Sequence, residues 1–445
     1  MLRRSLVASA IAAPWVLGRS EARSREPSAR VVSWAAPAEL ARGGGERGPW
    51  QQNDSAYDFV DDPAVAVWPN GTAAVAWVDQ ARKAVMFQRM SVDGAPQLAR
   101  PVDVSRQPRT FSWLPRMALA PDAPQQLYLL WQEIIFSGGS HGGDMLFARS
   151  LDGGARFSAP VNLSQSRSGA GKGRLTPLRW DNGSYDMVAG PDGALHAVWT
   201  DYEGPLWHSR SIDGGLRFSE PRELPRGANG RLRPARAPSI AIGPRGTIYV
   251  VWTSGDEPEA DILLAVSDDG GERFKGPSAV APLRGHADAP RVAVDRGGMV
   301  HLVFAHGEYG PLGGYRILHT QSEDRGASFT APREVSNPLP SGRNSAAFPQ
   351  LALDARGSVL VTWELFAYGH ARGLGWALSQ DRGRQFGRAG VVPHSTDPAG
   401  GVNGSSQGLL TQKLAMNGAG AFVVANSSLR HGSGSRVWLM RGQVG

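Results

Sequence analysis

Ionisable side chains fall at two recurring kinds of place in this chain. At the starts of one set of apolar runs stand Asp61-Asp62-Pro63, Pro115-Arg116, Tyr185-Asp186, Arg236-Ala237-Pro238, His286-Ala287-Asp288-Ala289-Pro290-Arg291 and Phe348-Pro349-Gln350. Just after the runs that follow come Asp79, Glu133, Asp201-Tyr202-Glu203, Asp256-Glu257, Glu308-Tyr309 and Glu364. Gathered on one face, such groups would ring a site for a polar ligand. Arg116 and Arg291 follow proline at equivalent positions, and their pairing would favour an anionic one. Taken singly, each acidic group is equally a solvated hairpin tip; their recurrence makes the site reading. Tyr368-Gly369-His370, after Glu364, is a further candidate. His196 and His301, and likewise His208 and His319, recur at matching strand positions and read as sheet residues.

The elements that would hold these groups are set by a repeat. Ser-x-Asp-x-Gly-x-x-Phe occurs at Ser150, Ser211, Ser267, Ser322 and Ser379, with aspartates 61, 56, 55 and 57 residues apart, and a decayed copy, Ser91/Asp93, lies 59 residues earlier. Before each copy an alternating apolar run, a Gly-containing turn and a second run ending in an aromatic (Trp77, Trp131, Trp199, Trp252, Phe304, Trp363) read as a hairpin. A third strand enters the motif and a fourth leaves it. The fold expected is all-β: a propeller of four-stranded antiparallel blades. Within the motif, Ser and Asp bond local backbone, Gly supplies a positive φ and Phe plugs the gap beside the blade. The spaced oxygens of a calcium loop are missing, and neither metal nor cofactor is expected.

A seventh unit starts near Leu414, and the chain stops where the next motif falls due. The only unassigned β-like run, Ala29–Trp34, supplies the missing outer strand, so the sequence predicts seven blades closed by N- and C-terminal strands sharing one sheet. Six blades with a C-terminal appendage is the alternative.

Two arginines, an apolar stretch and Ser20-Glu21-Ala22 make residues 1–22 an export signal, compatible with the twin-arginine route, leaving 23–445 as one propeller domain. The stretch is too short to span a bilayer. A periplasmic or secreted protein without stable membrane insertion is expected. There is no cysteine, which excludes disulfides and thiolate chemistry. The net charge of +7 suits acidic glycans; nucleic acid is the least expected partner, since the aromatics sit mostly at strand positions.

The repeated motif on a propeller pattern resembles the Asp-box (BNR-repeat) proteins, best known as sialidases, over about residues 60 to 441. The resemblance implies motif turns on the face away from the active site, and an exported, exo-acting glycoside hydrolase on sialic-acid-like or other extracellular glycans. It implies Arg116, Arg236 and Arg291 as an arginine cluster for a substrate carboxylate, with Glu133 and Glu364 beside them. Glu308 with Tyr309, or Tyr185, would form the nucleophile, and Asp61 or Asp62 the acid. Where sialidases carry an arginine motif in the first blade, this chain has Val60-Asp61-Asp62-Pro63. That difference supports the alternative: a non-catalytic propeller binding a glycan or partner protein. The only Tyr-Arg-Ile, at Tyr315-Arg316-Ile317, falls at a third strand and is not assigned to the site.

Overall fold

The structure, a computed structural model, describes residues 32–445 except 47, 50, 52–53, 108, 138–139, 165–172, 176–179, 183, 201–204, 226–232, 256–258, 311–313 and 405–410; for 134–143, 173–175 and 180–182 it describes the backbone alone. The export-signal expectation, and Asp201, Tyr202, Glu203, Asp256 and Glu257, lie outside the described residues. Among those described no helix is long and apolar enough to cross a membrane.

Six four-stranded antiparallel sheets and a closing sheet form the seven blades of a propeller. The inner strands are Val60–Val67, Phe111–Leu119, Tyr185–Ala189, Ala235–Ile242, His286–Val294, Ser345–Leu353 and Leu414–Met416, each neighbouring the next around the ring. Each sheet is sandwiched between two others, so second strands read as continuous apolar runs such as Ala73–Asp79. The recurrent aromatics at their ends are buried: Trp131, Trp199, Trp252, Trp363 and Phe304 are at most 1% exposed.

In the closing sheet Gly434–Val444 is the third strand, and two N-terminal segments, Val32–Trp34 and Ala38–Gly43, pair along it as the outer edge. The Trp34 ring packs edge-on against Trp376 and Phe422, with centroids 5.7 and 5.0 Å away. Both chain ends thus share one blade and remove an open edge. The six-blade alternative does not hold.

The repeated motif is a turn lock. In the first complete copy Ser150 Oγ donates to Asp152 (2.9 Å) and accepts Gly154 N–H (2.8 Å), while Arg156 N–H donates to Asp152 (2.9 Å). The same Ser–Asp bond, 2.7–2.8 Å, recurs at Asp213, Asp269, Asp324 and Asp381. The motif Phe reaches across to the preceding blade: Phe157 meets Phe87 at 5.2 Å, Phe218 meets Phe147 at 4.8 Å, and Phe274 and Phe386 meet His208 and His319 at 5.0 Å. The motif Gly lies under the same ring, where a Cβ at Gly154 would come within 1.9 Å of Phe87. His196 and His208 are buried, with ring nitrogens 3.1 Å apart, as are His301 and His319, 3.3 Å apart.

Candidate active site

Inner strands begin, second strands end and third strands begin at one end of the barrel, and the motif turns lie at the other. The ionisable groups therefore share one face. Five inner strands carry the same device there: the residue before a proline takes a positive φ of 49–53° (Asp62, Leu114, Ala237, Ala289, Phe348), and the ladder slips between Asp61/Ala64, Trp113/Arg116, Arg236/Ser239, Asp288/Arg291 and Ala347/Gln350. Proline has no N–H for the ladder, so the strand bulges around it. The residues after the bulge, such as Arg116, Arg291 and Gln350, are buried; of those before it Arg236 and Asp288 are partly exposed, while Asp61, Asp62 and Trp113 are buried. Ala237, Ala289 and Phe348 pack together at three adjacent bulges.

One set of these groups is closed in. Arg116 and Arg291 are 2% and 8% exposed. Arg116 donates to the Tyr185 carbonyl (3.2 Å), while Arg291 reaches Asp186 (3.6 Å) and the Thr411 carbonyl (3.3 Å). Burial and the Arg116 charge lower Arg291 to about 10, with Asp186 opposing. Tyr185 Oη lies 2.8 and 2.7 Å from the carbonyls of Trp113 and Leu114 and accepts Gln132 N–H, so it is a strut between blades. Asp62 is 1% exposed; Leu114 N–H donates to one oxygen (3.2 Å), and the other has no partner among the described residues. Burial and the adjacent Asp61 push its carboxyl well above the usual range. Asp61 accepts from Ser427 Oγ at 2.5 Å.

The sequence pattern puts Glu133 and Glu364 just after their strands. The hairpins of these two blades run further: the second strands are Leu127–Ser137 and Val359–Ala367, so both glutamates are mid-strand and at most 2% exposed. Glu133 accepts from Thr110 Oγ1, Ser112 Oγ (2.7 Å) and Trp131 Nε1 (3.1 Å), and burial raises it to about 7. Glu364 is held by Lys413 Nζ at 2.5 Å and by Asn403. Glu308 and Tyr309 stand in the exposed turn after Val300–Gly307, Tyr309 at 81% exposure. The structure thus groups Arg116, Arg291 and Asp62 inside the ring, where Asp62 falls within the field of Arg116, and puts Glu308 and Tyr309 at its surface.

An open cluster forms where the fourth and fifth blades meet. Arg236 Nη2 lies 3.2 Å from His286 Nε2, and His286 Nδ1 lies 2.9 Å from Tyr315 Oη. A guanidinium only donates, so Nε2 is the acceptor; a neutral imidazole then carries its proton on Nδ1 and donates it to the phenol oxygen. Asp288 is 3.8 Å from Arg236 and is itself held by Thr253 Oγ1 (3.0 Å) and Ala289 N–H (2.8 Å). Ala260 stitches the blades by bonding Gly285 O and Ala287 N–H. His286 is buried; Arg236, Asp288 and Tyr315 are partly exposed. Tyr315 was missed because its motif neighbours pointed to a third strand. The signal available was that first and third strands start on the same face, which puts Tyr315 beside His286. Among the described residues no group of three or more His, Cys, Asp or Glu is placed to hold a metal.

No family model matches the chain, and no curated protein is similar to it. Among solved structures it is similar to the polysaccharide lyase Uly1, at 13% identity and a TM-score of 0.55 over 93% of this chain and 100% of that one. An ulvan lyase bound to -[GlcA(1-4)Rha3S]- matches at 13% identity and 0.54, covering 91% and 95%. A protein of unknown function from Dyadobacter fermentans matches at 14% identity and 0.54, covering 77% and 97%. A leech intramolecular trans-sialidase is similar at 11% identity and 0.48, over 73% and 67%. At these identities the likeness is one of fold.

Proposed function

We propose that this protein is a carbohydrate-active propeller that cleaves an acidic, uronate-bearing polysaccharide by β-elimination at Arg236, His286 and Tyr315. The observation that carries the reading is the relay from guanidinium to imidazole to phenol, at 3.2 and 2.9 Å, on the open face. Arg236 brings the charge and planar fork suited to a uronate carboxylate, which makes the hydrogen on the adjacent carbon acidic. Tyr315, its oxygen held by the imidazole N–H, acts as phenolate and takes that proton. The C4–O bond breaks, a double bond forms between C4 and C5, and the proton passes from Tyr315 to the departing oxygen. No water, oxidant or metal enters the balance.

Hydrolysis of the kind expected from the sequence would need a tyrosine nucleophile and a carboxylic acid open to the sugar together, whereas Tyr185, Asp61 and Asp62 are buried and Tyr309 stands apart in an exposed turn. The acidic polymer seen with the ulvan lyase names the first substrate to try. Incubation with glucuronate–rhamnose-3-sulfate polymer and other polyuronates, followed by the ultraviolet absorbance of the conjugated product, tests the proposal. Tyr315→Phe and His286→Ala should each lower the rate by about a hundredfold or more. Reducing sugar formed without the new absorbance would mean hydrolysis and overturn the elimination.

A further inference from the structure

Two tyrosines stand almost wholly in solvent on the open face of adjacent blades: Tyr309 at 81% and Tyr368 at 88% exposure. Tyr368 also has a costly backbone. Ala367 pairs with His370, so Tyr368-Gly369 is a two-residue hairpin turn with φ of 51° and 84°. Positive φ at both turn positions is the geometry that favours Asn-Gly, and a bulky side chain there is strained. Strain together with an exposed ring, at the tip of an extended hairpin, points to use of the ring.

Both rings are tied to the candidate site. Tyr309 lies in the turn after Val300–Gly307, closed by the bond from Gly310 N–H to Gly307 O (3.1 Å), on the same face where Tyr315 precedes the third strand Arg316–Ser322. On the other side Tyr315 N–H donates to Ser345 Oγ (2.8 Å), and Asn344 N–H, one residue earlier, donates to the Phe366 carbonyl (3.0 Å) at the base of the Tyr368 hairpin. Two guanidiniums border this seam: Arg316 donates to Asn344 O (3.1 Å) and Arg343 to Arg372 O (3.2 Å).

We infer that Tyr309 and Tyr368 are stacking platforms for the sugar rings of an acidic polysaccharide that lies along the fifth and sixth blades beyond the unit cleaved at Tyr315, with Arg316 and Arg343 meeting its charges. Pyranose faces are apolar and aromatic planes receive them, while the cations select anionic chains. The protein would then grip several units of a polymer and cut within it, which is endo action in place of the exo action expected from the sequence. The inference rests on the reading of this face as a site for acidic polysaccharide.

The test is calorimetric binding of the glucuronate–rhamnose-3-sulfate polymer and its tetrasaccharide to the full chain, with Tyr309→Ala, Tyr368→Asn and the double variant, alongside cleavage by each. Each single change should weaken polymer binding about fivefold, and the double change by tens of fold, with KM rising and kcat on the short oligosaccharide held. Thermal denaturation of each variant separates lost binding from lost folding. Equal polymer affinity in the wild type and the double variant overturns the platforms and leaves the Tyr315 chemistry standing. Binding that falls as expected, with no unsaturated product from the wild type, supports the platforms and overturns the cleavage. Failure of the wild type to bind any polyuronate overturns both.

Discussion

Replacing Glu133 by Gln should stabilise the protein at neutral and alkaline pH while barely affecting it in acid. The carboxyl is buried between Thr110, Ser112 and Trp131, and its value is about 7 where an unfolded chain gives 4.5. A raised carboxyl means that the folded state binds the proton more tightly than the unfolded one. Below the unfolded value both states are protonated and nothing is lost. Between that value and 7 the fold gives up stability as pH rises, by about 3 kcal/mol for a shift of this size. Glutamine fits the site: its oxygen can take the Trp131 and Ser112 donors while its amide group donates to the Thr110 hydroxyl. The assay is urea unfolding of both proteins at about pH 5 and about pH 8, reading the change in the gap between them. Titration of other groups cancels in that difference. The expected widening is about 2.5 kcal/mol in favour of the variant, and a gap that stays the same at both values would refute the buried-acid reasoning.

Other consequences are equally direct. Gly154→Ala forces a Cβ into the Phe87 ring at a φ of +89°, whereas Gly193 at +78° has open space around it; denaturation should show a loss of about 3 kcal/mol at the first and about 1 kcal/mol at the second. Burial lowers His196 to about 4 and His208 to about 3 from 6.5, with His196 adding to the effect on His208. Depressed imidazoles keep their full contribution above 6.5 and lose it as pH falls toward 4, so stability should decline through that window and NMR should find both rings neutral at pH 5.5, inside it. Tyr368→Asn, by relaxing a left-handed aromatic, should raise stability by about 1 kcal/mol in thermal unfolding even as it weakens polymer binding.

The blades were legible because their signals are local. Ser150, Asp152 and Gly154 close a turn through bonds spanning four residues, and a fivefold repetition of such a turn leaves little choice of architecture. Closure was legible by elimination, though Ala38–Gly43 joins Val32–Trp34 at the edge, a second segment that no motif marked. The prolines at Pro63, Pro115, Pro238, Pro290 and Pro349 were visible beside the ionisable groups; the bulge they impose emerges only in the paired sheet. Hence Arg116 and Arg291 were placed together with Arg236, which belongs to a different cluster. Glu133 and Glu364 were misplaced because hairpin length is set by pairing between strands and not by where the apolar run stops. Tyr315 and His286 are 29 residues apart and meet through sheet register, a long-range relation that no short motif encodes.

The central claim is that the phenol of Tyr315, oriented by His286 and Arg236, moves a proton on an acidic sugar chain. Its most direct test is the initial rate of ultraviolet absorbance on the glucuronate–rhamnose-3-sulfate polymer for the wild type and Tyr315→Phe, matched for thermal stability. The account predicts a rising absorbance for the wild type and a drop of about a hundredfold or more for the variant; equal rates in the two proteins would contradict it.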